Sequence, residues 1–116
     1  MKVHFKLTLL LLAATSYSAS ATIHTLHNDP LYNAEHSTFS SAYAAAAPHD
    51  TILVHGSAST YGSIQLYKPL TMIGPGHDLA NGERATFSNV QLFAGADSCL
   101  IEGLNISGLY LYDIDV

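Results

Sequence analysis

Three aromatic residues at matching places in three short blocks carry the clearest chemical potential of this 116-residue chain. The blocks read Ser63-Ile-Gln-Leu-Tyr67, Asn89-Val-Gln-Leu-Phe93 and Gly108-Leu-Tyr-Leu-Tyr112. If the apolar positions face a core, Tyr67, Phe93 and Tyr112 face outward, with Gln65, Gln91 and Tyr110 two residues before them. Laddered across neighbouring strands, such rings would offer a stacking platform for sugars, since an exposed apolar patch often marks an interaction site. Stacking of the rings on one another is the structural alternative. Near the end of the chain, Asp113 and Asp115 flank Ile114 and share one face, about 6.6 Å apart along a strand. Two carboxylates so placed could contribute to a Ca2+ site, although that ion takes six to eight oxygen ligands. A solvated strand edge explains them without an ion, and no cofactor is required by the residues themselves.

Other reactive types are sparser. His24 and His27 are separated by two residues and His36 lies further on, but no cysteine pair and no HExxH motif accompanies them. They read as scattered surface histidines. Cys99 is the single cysteine, which excludes an intramolecular disulfide. It is expected inward, as a small hydrophobe. No Gly-x-Ser-x-Gly elbow and no phosphate-cradling loop occurs, so no catalytic residue is assigned.

The elements that must position these residues show in the alternation. Apolar pairs recur as Ile52/Val54, Ile64/Leu66, Leu70/Met72, Val90/Leu92, Cys99/Ile101, Leu104/Ile106, Leu109/Leu111 and Ile114/Val116. Period two is the mark of a strand with one buried face. Glycines at Gly56, Gly62, Gly74, Gly76, Gly82, Gly95, Gly103 and Gly108 read as turns between them. Strands on successive coils need no hairpins to join them, so parallel stacking is expected. The blocks recur at unequal offsets, from Gly74 to Gly103, from Ile64 to Val90 and from Val90 to Leu109. The pattern therefore predicts a mainly β solenoid of roughly three stacked coils. Ahead of it, Ser37 or Thr38 can N-cap a helix with Phe39, Ala42, Tyr43 and Ala46 on one face, ending before Pro48. That helix is expected to cap the first coil. Ile23 to Leu26 forms a short alternating run that suits a lone first strand.

The N-terminus reads as an export signal: Lys2 and Lys6, an apolar run from Leu7 to Ala14, and a small-residue cleavage site at Ala19-Ser20-Ala21. The run is shorter than the roughly 20 residues that a membrane span needs. The expected organisation is a signal peptide over 1–21, an N-terminal segment with its capping helix over 22–50, and coils over 51–116. Without the signal, Lys68 and Arg84 face nine carboxylates. That balance excludes a nucleic-acid partner, whose binding needs clustered basic residues. It also disfavours polyanionic pectate unless a cation bridges the two. No transmembrane segment is expected, and the product is secreted, extracellular or on the cell surface, with the periplasm as the other destination. The alternation continues to Val116, which predicts further coils of the same chain and a C-terminal truncation.

Four stretches, Phe39 to Ala47, Asp50 to Val54, Tyr61 to Leu66 and Lys68 to Gly76, together resemble the opening of right-handed parallel β-helix proteins. That superfamily, pectin lyase-like, includes pectin lyases, pectate lyases and pectin methylesterases. The resemblance spans Thr38 to Val116 and implies the right-handed parallel β-helix fold class with a short N-terminal helix. Long bacterial secreted proteins share the same opening. The family's catalytic carboxylates and basic residue lie on later coils and match nothing here. The expected function is therefore a polysaccharide-binding or adhesive scaffold without its own catalytic site, with a polysaccharide or cell-surface glycan as partner. The alternative is the front end of a polysaccharide lyase or pectin esterase whose active site lies on later coils.

Overall fold

The computed structural model describes residues 21–76 and 83–112. Seven short strands and one helix follow in the order β1 (Ile23–Leu26), α1 (Phe39–Ala45), β2 (Thr51–Val54), β3 (Ser63–Leu66), β4 (Thr71–Ile73), β5 (Thr86–Leu92), β6 (Leu100–Glu102) and β7 (Asn105–Leu111). They build two parallel sheets, one ordered β1-β2-β4-β6 and the other β3-β5-β7. Strands of three or four residues cannot bury a face alone, so each sheet aligns its inward residues in rows. His24, Ile52, Met72 and Ile101 stand side by side in the first sheet. In the second, Ile64, Val90 and Leu109 form one row, and Leu66, Leu92 and Leu111 the next.

This corrects the expected fold class. The prediction was a mainly β, right-handed parallel β-helix of about three coils. The chain instead forms a small α/β arrangement of a four-stranded and a three-stranded parallel sheet with one helix. The physical reason lies in what alternation encodes. Period two identifies a strand and its buried face, but not how many sheets form or whether they close into a repeating unit. The connections differ in length, and the unequal block offsets reflect that. The two separate blocks expected at Leu104/Ile106 and Leu109/Leu111 merge, with Ile106, Leu109 and Leu111 on one continuous strand, β7, and Leu104 just before it. Gly108, expected as a turn, lies inside β7 opposite Asn89, where a Cβ would sit 2.5 Å from the Asn89 Oδ1.

Both sheets and the helix feed one core. Leu26, Ile52, Val54 and Met72 come from the first sheet, Ile64, Leu66, Phe87, Val90 and Leu92 from the second, and Ala42 and Ala46 from the helical segment. Thr38 caps α1 as the spacing predicts, its Oγ1 accepting from the Ser41 N–H at 3.2 Å. At the other end Lys68 reaches across from the β3–β4 connection. Its Nζ donates to the carbonyls of Tyr43, at 2.7 Å, and of Ala46, and lies 4.3 Å from the centroid of the Tyr43 ring. A cation on the last carbonyls complements the helix dipole and satisfies acceptors that the helix leaves free. The small alanines let this short helix lie close to the sheets.

Burial ends at one edge. Leu109 and Leu111, expected inward, are about half exposed because β7 is the outer strand of its sheet, and among the described residues nothing packs beyond it. Cys99 is half-buried, its Sγ 3.4 Å from the Leu70 N and 3.5 Å from the Lys68 carbonyl. Among the described residues no helix is long and apolar enough to cross a membrane.

Gly103 sits in a turn packed closely against its neighbour. Its φ is +71°, and an added Cβ would lie 2.5 Å from the Gly74 carbonyl oxygen on the neighbouring turn. Gly62 has a similar φ of +84° with open space around it. Gly62→Ala should therefore cost about 1 kcal/mol, the conformational term alone. Gly103→Ala adds a backbone collision and should cost at least about 2 kcal/mol. Denaturant midpoints of the two variants check the difference; equal costs would show that the turns are not in contact.

Candidate functional site

Two clusters bring chemistry-bearing side chains together. The first is the outward face of the β3-β5-β7 sheet. Its register sets Gln65 beside Gln91 and Tyr110, and Ser63 beside Asn89. Continuing the ladder, the Phe93 N–H donates to the Leu66 carbonyl at 2.9 Å and the Tyr112 N–H to the Leu92 carbonyl at 2.8 Å. Those two bonds place the next three side chains in line. Tyr67 and Phe93 stack with centroids 4.7 Å apart and planes 10° from parallel, and Phe93 and Tyr112 stack at 4.9 Å and 11°. The spacing is that of adjacent strands, so the sheet itself dictates the stack.

Face-to-face stacking determines what the ladder can offer. The inner ring faces are used up against one another, so solvent meets ring edges, the tyrosine hydroxyls and the outer faces. The Tyr67 hydroxyl donates to the Gln65 Oε1 at 3.3 Å, and the Gln65 amide donates to the Gln91 Oε1 at 3.0 Å. An open groove of about 440 Å³ runs between this face and α1, lined by Phe39, Tyr43, Gln65, Tyr67, Asn89 and Gln91 among others. Among the described residues no carboxylate lines it. The groove is thus uncharged, with amides and hydroxyls set among aromatic rings. Asp113 and Asp115, the pair considered for Ca2+, lie outside the described residues.

The second cluster overturns the reading of the histidines as surface groups. His24 and His27 are buried and His36 is half-buried. His24 takes the inward position of β1, in the row that Ile52 and Met72 continue. Asp50, just before β2, is buried beside it. The Asp50 carboxylate accepts from the Thr22 N–H at 3.0 Å, the Ala47 N–H at 2.9 Å and the His24 Nε2 at 3.1 Å. Those backbone bonds, first Thr22 and then Ala47, with the imidazole behind them, hold its pKa down at about 2. An ionised carboxylate only accepts, so His24 donates from Nε2 and turns its other ring nitrogen, Nδ1, toward Glu35.

Glu35 and His36 are brought to that nitrogen by backbone docking rather than by regular structure. The His36 N–H donates to the Thr25 carbonyl at 2.9 Å and the His27 N–H to the His36 carbonyl at 3.0 Å, a parallel bridge alongside β1. The Glu35 N–H donates to the Thr25 Oγ1 at 2.8 Å. The Glu35 Oε1 then lies 3.8 Å from both the His24 Nδ1 and the His36 Nε2. The other His36 nitrogen, Nδ1, pairs with the Ser41 Oγ at 2.8 Å, leaving Nε2 without a partner. Sequence reasoning noticed all three histidines but not Glu35 or Asp50. The available signal was a histidine at an inward strand position whose row is otherwise apolar.

No family model matches the chain, and neither does any curated protein or solved structure. The resemblance to pectin lyase-like proteins therefore rests on the quoted residues.

The low Asp50 pKa has a consequence for acid stability. A carboxylate whose folded pKa lies below its unfolded value contributes stability above the unfolded value, near 4. That contribution drains away as the pH falls toward about 2. Wild type should thus be more stable than Asp50→Asn at pH 5, with the gap narrowing steadily between pH 4 and pH 2. Thermal midpoints across that range test this; a constant gap would show that the carboxylate charge is not the cause.

Proposed function

We propose that this chain is a secreted polysaccharide-binding or adhesive scaffold that grips a neutral glycan along the outward face of the three-stranded sheet. The observation that carries the reading is the Tyr67–Phe93–Tyr112 stack lying beside an amide row and an uncharged groove. Sugars are recognised by aromatic surface together with side chains that both donate and accept hydrogen bonds. Gln65, Gln91 and Asn89 provide the second kind. A rigid stack also loses little freedom when it binds, because its rings are already fixed. The negative balance of the chain outside its signal favours a neutral polymer over a polyuronate. Export follows from the Lys2, Lys6 and Leu7–Ala14 pattern with its small-residue cleavage site. Secretion, glycan binding and the absence of turnover together form one reading, in which the sheet face is a contact surface rather than a reaction site.

Retention on a panel of insoluble and soluble neutral polysaccharides tests it. Each ring contact is worth about 1 kcal/mol, so Tyr67→Ala should weaken retention roughly fivefold. Gln91→Ala, which leaves the stack intact, should weaken it as well by the loss of a hydrogen bond. Unchanged retention in both variants, or no retention on any polymer, would make the ladder purely structural. Circular dichroism on each variant separates lost contact from lost fold.

A further inference from the structure

We propose that His24 Nδ1, Glu35 Oε1 and His36 Nε2 form a binding site for a first-row divalent transition metal, Zn2+ above all, with a coordination position left open to solvent. The three ligand atoms all lie within 4.8 Å of one another, and Glu35 is 3.8 Å from each imidazole nitrogen. A tetrahedral ion with bonds of about 2.0–2.1 Å sets its ligands roughly 3.3 Å apart. Closing the two glutamate gaps needs about half an ångström each, which a glutamate side chain 52% exposed can supply, and the two imidazole nitrogens, within 4.8 Å of each other, must close by up to about 1.5 Å through rotation of the half-buried His36 ring.

The strongest argument is the orphaned nitrogens. His24 Nδ1 and His36 Nε2 are both shielded from solvent and neither has a hydrogen-bond partner. A buried polar atom without a partner carries a desolvation cost, and such exceptions call for a missing group. Here the two orphans converge on one carboxylate that is too far from either to form a hydrogen bond. A cation between them satisfies all three at once.

The second line is the outer shell. Metal-bound histidines characteristically donate their other N–H to a carboxylate, a carbonyl or another oxygen, which fixes the tautomer and aims the lone pair. His24 does so to Asp50 at 3.1 Å, and His36 has the Ser41 Oγ at 2.8 Å. Asp50 is itself held by two backbone N–H groups, so the orienting group is rigid. Two imidazoles and one carboxylate suit Zn2+ and its neighbours rather than Ca2+ or Mg2+, which prefer an all-oxygen shell. Three protein ligands leave one tetrahedral position open, and the exposure of Glu35 puts it on the solvent side. His27 is excluded from the set by distance, since its Nε2, also without a partner, does not fall among the ligand atoms that cluster within 4.8 Å. Its Nδ1 accepts from the Asp29 N–H at 2.9 Å and its ring stacks on Tyr32.

This site is independent of the glycan face and is tested without it. Zn2+ titrated into the metal-stripped full chain, followed by calorimetry, should bind at a stoichiometry of one. Co2+ in its place should give the visible absorption of a low-coordinate, nitrogen- and oxygen-ligated ion. Glu35→Gln and His36→Ala should each weaken Zn2+ at least 100-fold, and Ser41→Ala about 10-fold by releasing the His36 ring. His55→Ala, at an exposed histidine outside the cluster, should leave binding unchanged. Added Zn2+ should raise the melting temperature of wild type but not of His36→Ala. Because the Glu35 side chain is half exposed, Glu35→Gln keeps the test open if a histidine variant misfolds. No binding by wild type, or binding that survives both Glu35→Gln and His36→Ala, overturns the proposal.

Discussion

Parallel backbone pairing is the constraint on which the rest of this molecule depends. Among the described residues no strand exceeds seven residues, and most have three or four. A segment that short gains too little from its own burial to offset the conformational entropy of fixing it. It becomes stable only when its neighbours supply both hydrogen bonds and a continued apolar row. The rows Ile52–Met72–Ile101 and Ile64–Val90–Leu109 are the outcome. Once register is fixed for the inward residues, the outward ones have no freedom left. The aromatic stack and the glutamine pair follow from the same alignment that builds the core.

The same dependence explains which features could be read from residues alone. The helix was legible because its cap and its i, i+3, i+4, i+7 face are local signals, and Thr38, Ala42 and Ala46 play the parts that spacing assigns them. The buried faces of β2, β3, β4 and β5 were legible from alternation, as was the alignment of Tyr67, Phe93 and Tyr112. The closure of those strands was not. A row of apolar pairs separated by glycine fits a continuous solenoid and two small sheets equally well, because connection geometry is not written in hydrophobic period. Gly108 shows the ambiguity at one residue. It has the look of a turn, yet it sits in mid-strand opposite Asn89, whose side chain a Cβ there would have to displace.

The histidine cluster was illegible for a different reason. Glu35 and His36 belong to an irregular segment with no periodicity to read, and they reach β1 through the backbone and side-chain oxygens of Thr25. Such docking depends on where a loop finds free donors and acceptors at a sheet edge. β1 is the outer strand of its sheet and exposes those groups. The bridge that brings His36 to Leu26 therefore does two things. It covers part of an edge that would otherwise invite pairing with another chain, and it places a carboxylate and an imidazole beside His24.

Seen from the core, His24 is the residue that a purely structural account leaves over. Its row neighbours Ile52 and Met72 are fully buried apolar side chains, and an isoleucine or valine in β1 would extend that row at no polar cost. Instead the chain buries an imidazole and, to hold it, a carboxylate that is itself tied down by Thr22 and Ala47. Half of that arrangement is self-consistent, since Asp50 and His24 Nε2 satisfy each other. The other half points an unpaired nitrogen at Glu35, where an apolar residue would have left nothing unpaired. A polar group retained in the core, oriented by a rigid partner and left incomplete on one side is what a ligand site requires and what packing alone does not. The outward stack differs: its rings complete one another on their inner faces and leave edges, outer faces and hydroxyls toward solvent. What calls for a partner there is the uncharged groove beside them, where amide groups face open solvent between aromatic walls.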